Sequence, residues 1–221
     1  MNILLPFAAV VLGVLIALIF KSKRGAFQLL LSFSGAFLLS ITVFEFLPEV
    51  YKIETKLTGL FIMLGILLQI VLEFLSRGAE HGHMHTEDFK NHFPWSLFAG
   101  LCLHALLEGF PLEGNFHLLL GVAVHKIPIA AIVASILLFS GISKIKAIFF
   151  LGVFALMTPL GSLLESIFTF PPTVENNLNA LVIGIFLHVS TTILFETSQG
   201  HHFNTTKMIS IVLGIGLAFL L

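Results

Sequence analysis

The sequence predicts an all-α integral membrane protein with eight transmembrane helices, and three observations support that prediction. Of the 221 residues, 57% are hydrophobic and only 10% are charged, which leaves too few polar side chains to cover a soluble domain. The mean hydropathy is +1.04. Apolar stretches long enough to cross a bilayer also recur along the whole chain, separated by short polar breaks. We therefore expect residues 1–221 to form a single transmembrane domain.

The apolar runs set the number of predicted spans. A hydrocarbon core of about 30 Å takes about 20 helical residues. The runs that meet this requirement are residues 3–20, 27–48, 57–75, 94–112, 116–140, 145–168, 178–198 and 207–221. The first run has no basic segment before it and no convincing cleavage site after it, so we interpret it as a retained span. The fourth and fifth runs are so close that they should form an antiparallel hairpin.

Basic residues predict the orientation of the chain in the membrane. With the N-terminus outside, eight basic residues fall in internal loops and only Lys52 and Lys56 fall in external loops. This asymmetry follows the positive-inside rule. We expect both termini outside, and the cell membrane as the location. The eight internal residues are Lys21, Lys23, Arg24, Arg77, Lys90, Lys144, Lys146 and Lys207.

A short internal similarity suggests how the spans are arranged. Residues 35–38 in the second run resemble residues 184–187 in the seventh, and each segment reaches a glutamate about ten residues later, Glu45 or Glu196. In the predicted topology these two spans run in opposite directions. That pattern is typical of a 3+2+3 inverted repeat, in which three-span units flank a central pair.

The densest group of ionisable residues lies in the central hairpin. His104 and Glu108 are four residues apart, so they share one helix face. His125 should face them from the next helix, and Pro128 should kink that helix near the site. Imidazole and carboxylate ligands without thiolate suit Zn²⁺ and its first-row neighbours. The alternative is that these side chains only join two helices by hydrogen bonds.

The motifs of this hairpin resemble those of the ZIP (Zrt/Irt-like) metal transporters. Residues 104–109 match that family's His-x-x-x-Glu-Gly, and residues 125–128 match its His-x-x-Pro. Residues 44–49 resemble the end of its second helix, and residues 77–92 lie where it has a histidine-rich cytoplasmic loop. The resemblance implies metal entry into the cytoplasm through spans 2, 4, 5 and 7, often by an elevator-like movement of one helix bundle.

Four positions differ from the members of that family that hold two adjacent metals. Each difference removes a ligand of the second site, and the residues present here are Ala105, Lys126, Ile129 and Thr158. The comparison therefore implies a single metal site. A lysine in the middle of a span needs a carboxylate partner, for which Glu108 is the first candidate and Glu45 the second. We expect the Lys126 ammonium to replace the missing second metal; the alternative is a purely stabilising ion pair.

Other polar residues allow two interpretations. Glu45 is interpreted as a fourth ligand or a pathway carboxylate, with interfacial capping as the alternative. His188 is either a ligand or a packed, hydrogen-bonded residue, and Glu196 is either an exit ligand or a solvated helix end. The cytoplasmic loop has three closely spaced histidines that either chelate metal loosely or are simply solvated: His81, His83 and His85.

The third run also has two polar residues, Gln69 and Glu73, near its inner end. Interface positions tolerate such residues, so the sequence assigns them no role.

Together these patterns predict a carrier of divalent metal ions, with zinc first and iron, manganese, cobalt or cadmium as other substrates. The alternative is an enzyme, a membrane-embedded zinc hydrolase. A third interpretation is a metal sensor or chaperone that does not transport the ion. A net charge of −1 gives no reason to expect nucleic acid, and one cysteine, Cys102, excludes an internal disulfide. We expect the bilayer and the transported cation as partners, no catalytic cofactor and no enzymatic activity, with a homodimer left open.

Overall fold

A computed structural model describes residues 4–20, 24–53, 56–76, 78, 93–139, 141–196 and 205–221. Within those ranges the chain is helical, and we number its helices α1 to α8. They are α1 (Leu4–Phe20), α2 (Arg24–Ile41, continuing to Val50), α3 (Thr58–Ser76), α4 (Trp95–Leu107), α5 (Phe116–Phe139), α6 (Lys144–Ile167), α7 (Pro172–Glu196) and α8 (Thr205–Leu220). The eight predicted runs therefore correspond to eight helices.

The lengths and surfaces of these helices identify an integral, multi-pass membrane protein. Six helical segments in the described ranges are long and apolar enough to cross a bilayer, and α1 and α8 are shorter apolar helices. Large apolar side chains such as Leu15, Leu67 and Val212 are exposed along α1, α3 and α8. Water would disfavour such surfaces, whereas lipid accommodates them. The 3+2+3 repeat stays a prediction.

Helix α7 begins six residues earlier than its apolar run predicts. Its first residue is Pro172, and Glu175 lies in its first turn. Proline at the first helical position and a carboxylate near the helix N-terminus are both favourable. The polar residues of this first turn lower the local hydropathy, so the apolar run begins later than the helix does.

Helix α2 changes its hydrogen-bonding pattern close to its end. Thr42–Phe46 is a π-helical segment, in which the Leu47 N–H donates to the Thr42 carbonyl, and Leu47–Val50 then returns to α-helix. Pro48 cannot donate a backbone hydrogen bond and would crowd the preceding turn of a regular helix. The wider turn accommodates it, and Glu45 lies within this π-helical segment.

Helix α4 ends inside the bundle, although the sequence predicts an uninterrupted span to residue 112. The α-helix stops at Leu107, and Phe110–Leu112 forms a short 3₁₀ turn. Pro111 has no N–H to continue the α-helical ladder. Backbone carbonyls at such an end need other donors, since lipid offers none.

Two apolar clusters stack along the depth of the bundle with a polar layer between them. On α5, Val122 belongs to one cluster and Ile129 to the other, about one turn on either side of Lys126. Ala105 on α4 belongs to one cluster, whereas Leu112, in the 3₁₀ turn beyond Glu108, belongs to the other. We call the two ends of the bundle the Glu113 end and the Ser76 end, after residues located there.

A glycine pair brings α6 against the end of α4. A Cβ atom on Gly109 would collide with the Thr158 carbonyl oxygen, and one on Gly161 would collide with the Leu106 carbonyl oxygen. Paired glycines allow membrane helices to approach closely. This contact places Thr158 beside the polar layer.

Candidate functional site

The centre of the polar layer is an ion pair between α5 and the end of α4. The Lys126 ammonium contacts the Glu108 carboxylate, and each side chain is only 1% exposed. The partner predicted for Lys126 is thereby confirmed. Charges in a membrane interior are costly unless they are paired, so this contact offsets much of the cost of both groups. The Lys126 Nζ atom also lies 4.7 Å from the centroid of the Phe154 ring, within range of a cation–π interaction.

Thr158 of α6 completes this contact. Its hydroxyl oxygen lies 2.9 Å from the Ala105 carbonyl oxygen and 3.1 Å from Oε1 of Glu108. The hydroxyl thus satisfies a carbonyl that the early end of α4 leaves without a helical donor. It also holds the carboxylate from the side of α6. A residue that the sequence marks as a lost ligand is therefore a direct neighbour of Glu108.

His104 lies against the other carboxylate oxygen of Glu108. Its Nε2 atom is 3.5 Å from Oε2 of Glu108, which confirms that the two side chains share one helix face. Its Nδ1 atom is 3.0 Å from Oε1 of Gln69 on α3. Among the described residues, neither His104 Nε2 nor Glu108 Oε2 has a hydrogen-bond partner, although both atoms are buried. Buried polar atoms are normally satisfied, and these two lie close to each other, on an imidazole and a carboxylate that can both bind a cation.

His125 is fully buried on α5, adjacent to Lys126 in the chain and near enough to interact electrostatically with Glu108. Within the described ranges, however, no three His, Cys, Asp or Glu side chains are grouped closely enough to hold one ion. The structure thus brings His104 and Glu108 together directly. Metal ligation by His125 stays a prediction.

Glu45 lies at a second location, towards the Glu113 end. Both of its carboxylate oxygens are within 2.8–2.9 Å of Nδ1 of His117, at the start of α5. The two side chains are 35% and 36% exposed. They line a cavity of about 560 Å³ together with three further carboxylates, Glu49, Glu113 and Glu175. Among the described residues Glu45 joins no three-ligand group, so its role as a fourth ligand stays a prediction.

A third imidazole–carboxylate pair lies towards the Ser76 end. Nε2 of His188 on α7 is 2.6 Å from Oε2 of Glu73 on α3, and both side chains are partly buried. His188 therefore makes a specific contact, one that fits either of the two interpretations of this residue. Glu73 has a partner that the sequence analysis did not assign.

Four of the predicted residues cannot be placed. His81, His83 and His85 lie outside the described residues, and so does the side chain of Glu196. Their roles stay predictions.

Sequence reasoning missed Gln69, Glu73 and His117 as parts of these contacts. Gln69 and Glu73 are four residues apart, so they lie on one face of α3, and each contacts a histidine of another helix. Polar residues with that spacing in an apolar helix were an available signal. The sequence position of His117 was a weaker indication of a functional contact, because it lies next to a polar turn, where solvated side chains are common.

Comparison with known proteins gives one distant relative of stated function. An alignment of 122 residues is 29% identical to "Zinc transporter ZIP1" of Takifugu rubripes. It includes 49% of this chain and 40% of the length of that relative. No protein-family model matches the chain.

Proposed function

We propose that this protein carries divalent metal ions, zinc first among them, across the membrane towards the cytoplasm. The observation that carries the proposal is a pair of buried metal-binding atoms, His104 Nε2 and Glu108 Oε2, in the middle of a membrane protein, neither of which has a hydrogen-bond partner in the described part of the chain. The distant similarity to a protein named as a zinc transporter supports the same function.

The geometry of the two donors suits a transported cation. Two ligands at about 2.0–2.1 Å from one tetrahedral Zn²⁺ are about 3.3–3.5 Å apart. The separation of His104 Nε2 and Glu108 Oε2 is 3.5 Å. A cation between them would give both buried atoms a partner. Further ligands would come from water, from His125, or from a rearrangement that accompanies ion entry.

The three imidazole–carboxylate pairs are distributed over the depth of the bundle. Glu45 and His117 line a cavity at the Glu113 end, His104 and Glu108 lie in the middle, and Glu73 and His188 lie towards the Ser76 end. Such a series supports a route for an ion rather than a reaction chamber. A membrane zinc hydrolase would instead need an open ligand position and a substrate cleft at one interface.

The direction of transport follows from the basic residues. The positive-inside rule puts the Glu113 end outside and the Ser76 end in the cytoplasm. The cavity that contains Glu45 would then be the entrance for the ion. The central donors are closed from both ends by apolar clusters, so passage requires a conformational change.

Lys126 makes a single intramembrane ion the expected stoichiometry. Its ammonium occupies one oxygen of Glu108 and leaves the other oriented towards His104. It therefore fills the role that a second metal ion would have, and it keeps part of the carboxylate charge neutralised while no ion is bound.

Metal uptake into proteoliposomes tests this function. The purified chain is reconstituted, and Zn²⁺, Cd²⁺, Fe²⁺, Mn²⁺ and Co²⁺ are compared, with protein-free liposomes as the background. We expect uptake of Zn²⁺ above background that is lost in His104→Ala, while that variant still inserts into the membrane. Background uptake of every ion in the panel would refute the proposal.

A further inference from the structure

We propose that Gln69 is a positioning residue that fixes the tautomer of His104 and thereby directs the Nε2 lone pair towards Glu108. The inference rests on the proposed function, since it concerns the same ion-binding histidine. Gln69 is fully buried on α3, a helix that contributes no metal ligand predicted from the sequence.

A hydrogen bond between the two side chains determines which nitrogen of His104 carries the proton. Oε1 of Gln69 is 3.0 Å from Nδ1 of His104. An amide oxygen can only accept, so His104 Nδ1 must carry the proton. A neutral imidazole with its proton on Nδ1 has its lone pair on Nε2.

The opposite side of the His104 ring gives independent support for the same tautomer. If Nε2 of His104 carried a proton, it would be expected to donate to the nearby Glu108 carboxylate at about 2.7–2.9 Å. The observed separation from Oε2 is 3.5 Å, and within the described part of the chain neither atom has a hydrogen-bond partner. Both sides of the imidazole therefore indicate the same tautomer.

The consequence is chemical as well as geometric. A metal-binding histidine is commonly oriented by an acceptor on its other ring nitrogen, and loss of such an acceptor typically weakens metal binding 10–100-fold. Gln69 is fully buried, so bulk water does not reach this side of the ring to replace the lost acceptor. Gln69 thus makes α3 part of the ion site without contacting the ion.

The test uses the full chain in detergent, with Zn²⁺ as the probe, and compares three variants. Gln69→Leu removes the acceptor and should weaken Zn²⁺ binding about 10–100-fold. Gln69→Glu keeps an acceptor that has no N–H. This variant should bind Zn²⁺ at least about tenfold more tightly than Gln69→Leu does. Ser76→Ala is the matched control, because it removes from the same helix a buried hydroxyl that donates to the Glu73 carbonyl of its own helix. It should bind Zn²⁺ as the wild type does.

A second measurement detects the tautomer directly in the metal-free protein. The nitrogen NMR shifts of His104, assigned by loss of its signals in His104→Ala, should show the proton on Nδ1 in the wild type. In Gln69→Leu the proton should be found on Nε2, facing Glu108. A wild-type proton on Nε2 overturns the inference, as does equal Zn²⁺ affinity of Gln69→Leu and the wild type.

The two measurements separate the inference from the proposed function. Zn²⁺ binding that is insensitive to His104→Ala would refute the proposed ion site, whereas the NMR result on metal-free protein would still decide whether Gln69 sets the tautomer. Conversely, His104-dependent binding that Gln69→Leu leaves unchanged refutes the role of Gln69 alone.

Discussion

The central cluster and the pair at the Glu113 end use the same two groups, an imidazole and a carboxylate, in different surroundings. Glu108 is 1% exposed and has a lysine, a threonine and a histidine around it. Glu45 is 35% exposed, beside one histidine in an open cavity. The two regions therefore have the same functional groups and differ in how deeply those groups are buried.

Burial changes what each carboxylate can do. In the interior an uncompensated charge is costly, so Glu108 needs Lys126 even when no ion is bound. At the Glu113 end water stabilises the charge of Glu45, and its contact with His117 adds little. Under the proposed function, the buried group is therefore suited to selective binding of the ion and the exposed one to attracting cations to the cavity. Each of the following predictions tests that difference.

The largest effect is expected at Glu108. Glu108→Ala should reduce Zn²⁺ uptake to background, because it removes a donor to the ion. It should also destabilise the protein by about 3–5 kcal/mol, since Lys126 is left charged and unpaired. Uptake in proteoliposomes and thermal unfolding in detergent measure the two effects.

A double variant separates binding from stability at the same site. Glu108→Ala combined with Lys126→Met removes both charges, so stability should return close to that of the wild type while uptake stays at background. Wild-type uptake in Glu108→Ala would show that the buried carboxylate is not part of the route.

The number of ions bound in the membrane interior tests the role of Lys126. Because Lys126 occupies one oxygen of Glu108, the wild type should bind a single ion between α4 and α5 even at high Zn²⁺ or Cd²⁺ concentration. A structure from protein soaked in Cd²⁺ gives the count directly. Two adjacent ions there would contradict the role assigned to Lys126.

A smaller effect is expected at the entrance. Glu45→Gln should weaken the apparent affinity for Zn²⁺ by about fivefold or less, as is usual for an exposed pair worth about 1 kcal/mol or less, with little change in maximal uptake. The concentration dependence of uptake measures both quantities.

Glu165→Gln is the matched control for the entrance. It removes the same charge near the same end of the bundle, from a residue that is not among those lining the cavity. Its carboxylate interacts electrostatically with Glu113 and Glu175, so we expect unchanged maximal uptake and a change in apparent affinity smaller than that of Glu45→Gln. If Glu45→Gln instead abolished uptake, Glu45 would act as an obligatory ligand, and the contrast between the two regions would fail.

The smallest effect is expected from the three histidines that the sequence predicts on the cytoplasmic side. Replacing His81, His83 and His85 together with alanine should alter affinity or regulation about two- to threefold, because a loose chelator raises only the local metal concentration. Initial uptake rates at several Zn²⁺ concentrations test this. A complete loss of uptake would place the loop on the obligatory route.

The sequence by itself determined the features that depend on spacing along one helix or on the cost of burying charge. Helical periodicity predicts that His104 and Glu108 share a face, and 3.5 Å between their side-chain atoms confirms it. Lys126 requires a carboxylate within reach, and the short connection between α4 and α5 leaves Glu108 as the nearest candidate. The eight apolar runs likewise follow from bilayer thickness alone.

The tertiary structure decided which faces of distant helices meet. Glu45 lies 72 residues from His117 and Glu73 lies 115 residues from His188, and no local pattern predicts either pairing. The π-helical turn before Pro48 and the early end of α4 redirect side chains by amounts that an ideal helix does not reproduce. The contact of Gln69 with His104 depends on how α3 packs against α4. Such packing is set by close helix approach over many side chains, and a single sequence specifies it only through the whole fold.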